Sequence, residues 1–308
     1  MKRAILDSHR LLVVTGKGGV GKTALATAMA RASAARGLDT VLITLDTRED
    51  RHPLLGVPLD YQPREIAPHC WVARVDAFAA ITEYARRRMP LAGLYERFFQ
   101  SRAFRDFAAA APGFEELMCL GKLYDLVTSG DFDRVVFDAP ATGHLKQLFD
   151  VPAVTLRAVQ VGPLNHNARR IQDLLLDPDR TRVLVTTLAE EMPVREALEL
   201  LEYCQRTRIP LGGVLVNRRV YSHLSALEHQ RLEDLSSAAG APARLAGVLA
   251  QASADWELDA LQAAALAPLR GAGARLFEVP RMVQSRFEPA ALLDALAGAL
   301  TPLFGDAR

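Results

Sequence analysis

A glycine-rich octapeptide at residues 16–23 constrains the fold of this chain more than any other segment. It reads Gly-Lys-Gly-Gly-Val-Gly-Lys-Thr and fills the phosphate-loop pattern G-x-x-x-x-G-K-[ST]. Glycine leaves the backbone N–H groups accessible and free to adopt positive φ, so phosphate oxygens can approach them closely. An apolar run at 11–14 precedes the octapeptide and an alanine-rich stretch at 24–36 follows it. The sequence therefore predicts the strand, loop and helix that this motif requires.

The residues of this loop have distinct expected roles in binding a nucleoside triphosphate. The N terminus of the following helix offers unpaired N–H groups and a positive dipole end to the phosphates. Lys22 is expected to contact the β- and γ-phosphates, and Thr23 to give Mg²⁺ a hydroxyl ligand. A glycine-rich turn without a ligand is the alternative. The predicted nucleotide-binding segment consists of Gly16, Lys17, Gly18, Gly19, Val20, Gly21, Lys22, Thr23 and Ala24.

Short apolar runs alternate along the chain with helix-forming stretches. Because such alternation is typical of parallel sheets covered by helices, we predict an α/β fold of the P-loop NTPase type, with a mostly parallel sheet flanked by helices. We expect residues 1–308 to form a single domain with helical insertions. The predicted strands are at 11–14, 41–45, 134–137, 182–186 and 213–216, a further helix is at 193–208, and the helical insertions are near 77–127, 145–176 and 221–267.

Three polar residues follow predicted strands, where ligands of parallel sheets bind. Asp138 is a candidate for holding Mg²⁺, directly or through a water. Asp46 is a second candidate for the metal site, and its carboxylate can accept a hydrogen bond from the attacking water. An aspartate that caps a turn is the alternative for both. Asn217 offers a donor and an acceptor that match the edge of adenine, with a turn-forming asparagine as the alternative.

Two further segments are candidate nucleotide contacts. Residues 139–144 contain a proline turn followed by Gly143, whose N–H is suited to a γ-phosphate and to sensing its presence. His144 is either a switch residue or a packing residue. Val279 and Pro280 are candidates for packing on the nucleotide base, with a plain loop as the alternative.

Composition and charge disfavour several other functions. The net charge of +1 over 308 residues provides no strong field to attract nucleic acid or anionic lipid. No apolar run reaches about 18 residues and no signal peptide is evident, so we expect no integral membrane segment and a cytoplasmic location. The isolated cysteines fit a reducing compartment and lack the spacing of an iron–sulfur reductase. These cysteines are Cys70, Cys119 and Cys204.

Several of these motifs resemble those of one family. Lys17 is similar to the extra lysine of the deviant P-loop ATPases. Residues 137–144, Phe-Asp-Ala-Pro-Ala-Thr-Gly-His, resemble the second switch motif D-T-A-P-T-G-H of the arsenical pump-driving ATPase family, which includes the tail-anchored-protein targeting ATPases. Residues 112–118 are similar to its P-G-x-x-E helix start, and residues 214–218 and 279–280 to its base-pocket segments. The chain is identified as a bacterial member with one ATPase unit.

The resemblance implies a Mg²⁺-dependent ATP hydrolase in which Lys17, Lys22 and Asp46 are catalytic. Lys17 would reach across a dimer interface to the partner's phosphates, although a solvated loop lysine is the alternative. Asp46 would match the first-switch aspartate that polarises water, but residues 47–49 read Thr-Arg-Glu where the family has Pro-Ala-His. The resemblance also implies a homodimer, or a heterodimer with a paralogue, that acts on an unknown protein or anion cargo. No C-x-x-C pair is present for a zinc-bridged dimer.

A positioning ATPase of the Min or plasmid-partition type is the alternative function, in which ATP gates binding to a surface or partner. A membrane-binding version needs a basic amphipathic C-terminal helix. The segment at 288–300 has an apolar leucine stripe but no Lys or Arg, so we expect it to pack in the core. A DNA-binding version needs a basic face, which the charge balance does not indicate. The phenylalanine-rich part of 77–127 is expected to pack in the core, with a client groove as the alternative.

Overall fold

The predicted apolar runs form strands of one central sheet in the computed structural model, which describes residues 9–45, 50–88, 113–237 and 243–304. The sheet has the order β3-β4-β2-β5-β1-β6-β7-β8. The edge strand β3 is antiparallel to β4, and all other neighbouring pairs are parallel. The predicted α/β class is therefore confirmed. The strands are β1 (Leu11–Gly16), β2 (Thr40–Leu45), β3 (Arg64–Ala67), β4 (Cys70–Val75), β5 (Arg134–Ala141), β6 (Thr181–Leu188), β7 (Leu211–Arg219) and β8 (Leu276–Pro280).

Strand β1 lies in the middle of the sheet because its residues are apolar on both faces. Leu11 and Val13 pack into one hydrophobic layer, and Leu12 and Val14 pack into the other. A run of this kind is typical of parallel strands that are covered by helices on both sides. The loop at 16–23 therefore begins at a fully buried strand.

Helices cover both faces of the sheet. On one face, α1 (Lys22–Ala34) and α10 (Pro289–Ala299) pack against each other and against the strands. The helices of the opposite face are α2 (Ala77–Arg88), α3 (Phe114–Thr128), α4 (Thr142–Ala158), α5 (Pro163–Leu176), α6 (Glu191–Thr207) and the short α9 (Ala267–Gly271). The remaining helices, α7 (Ala226–Ser237) and α8 (Ala243–Ala265), pack on each other, with the rings of His229 and Trp256 stacked 4.0 Å apart.

The leucine stripe of α10 serves core packing, as the absence of Lys and Arg predicted. Leu293, Leu296 and the following Leu300 are buried in the layer that contains α1. Arg31 of α1 also binds Asp294 at 2.6 Å. This stripe is therefore not available as a membrane-binding face.

The segments expected as helical insertions differ in how they pack. Residues 145–176 form most of α4 and all of α5, which are buried on the sheet. Residues 77–127 contribute α2 and most of α3 to the same face, but the phenylalanines at 98–107 lie outside the described residues. Residues 221–267 contain α7 and α8. Grouping these helices as insertions within one domain stays a prediction.

All three cysteines are buried thiols. Burial raises the pKa of Cys70 to about 11 and that of Cys204 to about 12, so neither thiol is a ready nucleophile or metal ligand. In the described part of the chain, no group of three His, Cys, Asp or Glu residues is placed to hold a metal ion. Over the same ranges, no helix has both the length and the apolar character needed to cross a bilayer.

Candidate nucleotide-binding site

The loop at 16–23 has the backbone that its glycines predict. The φ angles of Gly16, Gly19 and Gly21 are +150°, +84° and +93°, which L side chains rarely adopt. A Cβ at Gly16 would collide with the carbonyl of Thr186, and one at Gly21 with the amide of Asn217. These two close approaches place the loop against β6, which pairs with β1, and against β7, the next strand of the sheet.

Two other features show that the loop is open on one side. At Gly18 and Gly19, a Cβ would meet nothing within 4 Å, so these glycines border open space. Gly21 precedes the first turn of α1, and no side chain of the described residues caps that turn. The first N–H groups of α1 therefore remain available to an anion. This backbone forms a cradle suited to phosphate.

Lys22 curls back over the loop. Its Nζ donates a hydrogen bond to the carbonyl oxygen of Lys17 at 3.0 Å. Burial lowers the pKa of Lys22, and the negative charge of Asp138 partly offsets this effect. The side chain is therefore held over the cradle, next to a carboxylate.

Asp138 and Thr23 meet at the end of the sheet below Lys22. The Thr23 hydroxyl donates a hydrogen bond to the Asp138 carboxylate. Burial raises the pKa of Asp138 from 3.8 to about 6, although the bond from Thr23 and the charge of Lys22 act in the opposite direction. Thr44 pairs with Asp138 in the sheet register, and its buried Oγ1 has no hydrogen-bond partner among the described residues.

These oxygen atoms fit Mg²⁺. The ion prefers carboxylate and hydroxyl oxygens, and it usually takes only one or two protein ligands besides phosphate and water. Thr23 and Asp138 would supply such ligands, and the Thr44 hydroxyl, which has no hydrogen-bond partner among the described residues, belongs to the residue that pairs with Asp138 on the neighbouring strand. Asp46, the other predicted metal residue, lies outside the described residues.

The second switch segment is anchored to β1 and exposed beyond the anchor. The Thr15 hydroxyl donates to the carbonyl oxygen of Pro140 at 3.0 Å. Gly143 lies in the first turn of α4, where its N–H has no helical acceptor. His144 follows and is exposed, which disfavours the packing alternative.

Lys17 makes an ion pair within its own chain. Its Nζ lies 2.8 Å from Oε1 of Glu196 on α6. Oε2 of the same carboxylate accepts a hydrogen bond from the Thr142 hydroxyl at 3.3 Å. Sequence reasoning assigned no role to Glu196, because only the packing of α6 brings it to the loop.

Asn217 contacts the loop from β7. Its Nδ2 donates to the carbonyl oxygen of Val20 at 2.8 Å, and its Oδ1 accepts from the N–H of Arg218 at 2.9 Å. The amide therefore holds the loop in place and keeps one N–H for another acceptor. Its predicted contact with adenine stays a prediction.

A cavity of about 430 Å³ lies next to this amide. Val279 is buried beneath α1 and α10, whereas Pro280, the last residue of β8, lines the cavity. The end of β8 thus contributes Pro280 but not the Val279 side chain. Other lining residues are Gly21, Ala24, Asn217, Met282 and Phe287.

His52 is a site residue that sequence reasoning missed. Its Nδ1 accepts hydrogen bonds from the N–H groups of Leu54 and Leu55, so the proton is on Nε2. Nε2 lies 3.3 Å from Oγ1 of Thr27, which donates to the carbonyl oxygen of Thr23 at 2.6 Å. This chain of hydrogen bonds joins the segment after residue 49 to the turn that carries Thr23. A histidine on its own gives no sequence signal for such a link.

Replacing His52 with asparagine is expected to make stability less dependent on pH. Burial lowers the pKa of His52 from 6.5 to about 4. Its contribution is therefore complete above pH 6.5 and is lost as the pH falls towards 4, by up to about 3 kcal/mol. Asparagine keeps an acceptor for the two backbone N–H groups but does not titrate. Urea unfolding at pH 7.5 and pH 4.5 measures the change; an equal loss in both proteins would contradict the neutral buried histidine.

Sequence comparison agrees with this geometry. The sequence profile of the anion-transporting ATPase (ArsA) family matches residues 9–165, which is just over half of the chain. The matched range contains the loop, Asp138 and Gly143. This chain belongs to the ArsA family. The predicted family and the P-loop NTPase fold are thereby confirmed.

The matches to individual relatives cover different shares of those relatives. The ATPase BagA of Mycobacterium tuberculosis is 32% identical over 247 residues, which is 76% of this chain and 70% of the relative. An arsenical pump-driving ATPase of Acidiphilium multivorum is 31% identical over 214 residues, and one of Escherichia coli is 29% identical over 213 residues. Each of these two matches covers 68% of this chain but only 35% of the relative.

Proposed function

We propose that this chain is a Mg²⁺-dependent ATP hydrolase whose nucleotide state controls its pairing with a second copy or a paralogue. The observation that carries the proposal is the convergence of the glycine cradle, Lys22 and the Thr23–Asp138 pair at one end of the sheet. Membership of the ArsA family supports the same activity. The cytoplasm, where the cysteines stay reduced, is the proposed location.

The cradle and Lys22 bind the triphosphate of their own chain. The N–H groups at 18–21 and in the first turn of α1 donate to phosphate oxygens, while Lys22 neutralises negative charge that develops during transfer. Thr23 and Asp138 would hold Mg²⁺, which would supply positive charge to neutralise the phosphates. Burial raises the pKa of Asp138 to about 6, and the contact with Thr23 and the charge of Lys22 oppose this shift. The carboxylate is therefore mostly ionised at neutral pH and can act as a metal ligand.

The switch segments orient the attacking water and report the γ-phosphate. We assign Asp46 the role of accepting a hydrogen bond from that water, because it directly follows the last residue of β2. Gly143 presents its N–H from the first turn of α4, and Asn217 with Pro280 borders the place of the base. The cargo is a protein or an anion, and the description of the matching family as anion-transporting ATPases supports the anion.

Changing Lys17 to alanine tests the paired state. If Lys17 acts on the phosphates of a second subunit, the variant should bind ATP as a monomer with nearly normal affinity. Its hydrolysis should fall by about 100-fold, in the range seen when one group that stabilises transition-state charge is removed. Calorimetry measures binding, sedimentation velocity measures dimerisation, and phosphate release measures turnover. Wild-type specific activity should rise with protein concentration, and a normal rate in the variant would remove the role in trans.

A further inference from the structure

One carboxylate joins two parts of the nucleotide site that are far apart in the sequence. Glu196 binds Lys17 through Oε1 at 2.8 Å and accepts the Thr142 hydroxyl through Oε2 at 3.3 Å. Lys17 follows the first glycine of the loop, and Thr142 directly precedes Gly143 in the second switch. Glu196 is in the second turn of α6, which packs on β6. A residue outside both motifs thus holds them in one arrangement.

We infer that Glu196 is a positioning residue that keeps Lys17 on its own subunit and couples the release of Lys17 to the second switch. The inference deepens the proposed function and rests on it, because Lys17 must leave Glu196 before it can reach the phosphates of a second subunit. An ammonium group that donates to this carboxylate is directed towards α6 of its own chain. Lys17 can therefore contact a second subunit only after its ion pair with Glu196 is broken.

The backbone of Lys17 need not move when the side chain is released. Its carbonyl oxygen accepts a hydrogen bond from Lys22 Nζ, which anchors this part of the loop. Only the side chain is held by Glu196. Release is thus a change of side-chain rotamer within a fixed loop, which is a fast and local motion.

The Lys17–Glu196 ion pair is weak enough for Lys17 to exchange Glu196 for phosphate. The two side chains are 33% and 30% exposed, and ion pairs this open to water change an equilibrium constant by no more than about fivefold. A triphosphate carries several negative charges, so it attracts an ammonium group more strongly than a single carboxylate does at the same distance. Phosphate can therefore replace Glu196 as the partner of Lys17.

Thr142 makes the contact depend on the second switch. Its hydroxyl and the Lys17 ammonium are the polar groups of the described residues that contact the Glu196 carboxylate. Thr142 is also the first residue of α4, next to the N–H that we assign to the γ-phosphate. If that turn moves, Glu196 loses the hydrogen bond from Thr142, and the rotamer of the Glu196 side chain is less restricted. The position of the Glu196 carboxylate therefore depends on both the glycine loop and the second switch.

Chemical labelling of Lys17 without nucleotide tests the contact directly. Glu196→Gln keeps the side-chain length and an acceptor for Thr142 but removes the charge that binds Lys17. The matched control is Glu199→Gln, which removes the same charge from an exposed position on α6 beside Arg195. An amine-reactive reagent, read by mass spectrometry, should label Lys17 about two- to fivefold faster in Glu196→Gln only. Lys146 serves as the internal reference, and unchanged labelling of Lys17 overturns the inference.

The second measurement is ATP-dependent dimerisation by sedimentation velocity. Glu196→Gln should lower the protein concentration at half-dimerisation by about two- to fivefold. In a Lys17→Ala background, the same substitution should have no effect. An equal gain without Lys17 would show a general charge effect and overturn the inference. Unchanged melting temperatures of the nucleotide-free proteins confirm that neither variant alters folding.

These measurements separate the inference from the function on which it rests. If the wild-type protein does not hydrolyse ATP, the proposed function fails and the inference falls with it. If the wild type dimerises and hydrolyses ATP but Lys17 labelling does not respond to Glu196→Gln, only the inference fails.

Discussion

Replacing Lys22 with alanine is expected to lower the rate of MgATP hydrolysis by about 100- to 1000-fold. Lys22 is the cation held over the glycine cradle, with its Nζ on the Lys17 carbonyl and its charge beside Asp138. Without it, the cradle loses the cation that its own chain directs to the β- and γ-phosphates in the transition state. Phosphate release at saturating MgATP measures the loss in turnover, and calorimetry measures the accompanying loss of affinity.

Lys146→Ala is the matched control for this substitution. Lys146 lies on α4, with its Nζ 5.9 Å from the centre of the Tyr203 ring, and we assign it no contact with nucleotide. This control should retain wild-type hydrolysis. A Lys22→Ala protein that hydrolyses ATP as fast as the control would show that the loop does not bind the reacting phosphates.

Replacing Asp138 with asparagine is expected to move stability and activity in opposite directions. Burial raises the pKa of Asp138 from 3.8 to about 6, so the ionised carboxylate destabilises the nucleotide-free protein at neutral pH. Asparagine is neutral and still accepts the hydrogen bond of Thr23. At pH 8 the variant should therefore be more stable by about 1–3 kcal/mol, while its Mg²⁺-dependent hydrolysis should fall by about 100-fold or more.

The stability gained by Asp138→Asn is expected to depend on pH. A carboxyl group whose pKa is higher in the folded state binds protons more readily when folded, so its cost is complete above pH 6 and disappears below pH 3.8. The difference in stability between wild type and Asp138→Asn should follow this window. Urea unfolding from pH 8 to pH 4 measures it. A variant that is less stable than wild type at pH 8 would contradict the buried charge at Asp138.

The loop and the second switch could be predicted from sequence because their residues are contiguous. Each motif fixes a backbone shape through glycine or proline, and the order of apolar runs fixes which strand end carries it. The confirmed strands β1, β2, β5, β6 and β7 were identifiable because they are short runs that are buried on both faces. Strand β4 was not identified, because its run of buried residues is interrupted by Trp71 and Arg74, which are only partly buried.

The contacts between motifs could not be predicted. Glu196 reaches Lys17 only because α6 packs beside the loop, and His52 reaches Thr27 only because its segment folds back on α1. Neither pairing follows from spacing along the chain. The burial of the Val279 side chain could not be predicted for a similar reason. The Val-Pro pair suggested a contact with the base, but in β8 the valine side chain packs in the core. Tertiary packing decided each of these positions.

Isothermal titration calorimetry of the purified wild-type protein with ATP, in the presence and absence of Mg²⁺, tests the central claim most directly. We predict saturable one-site binding per chain that Mg²⁺ strengthens and that Lys22→Ala abolishes or weakens by at least tenfold. Absence of any MgATP binding, or binding that is unchanged in Lys22→Ala, would contradict a phosphate site at residues 16–23.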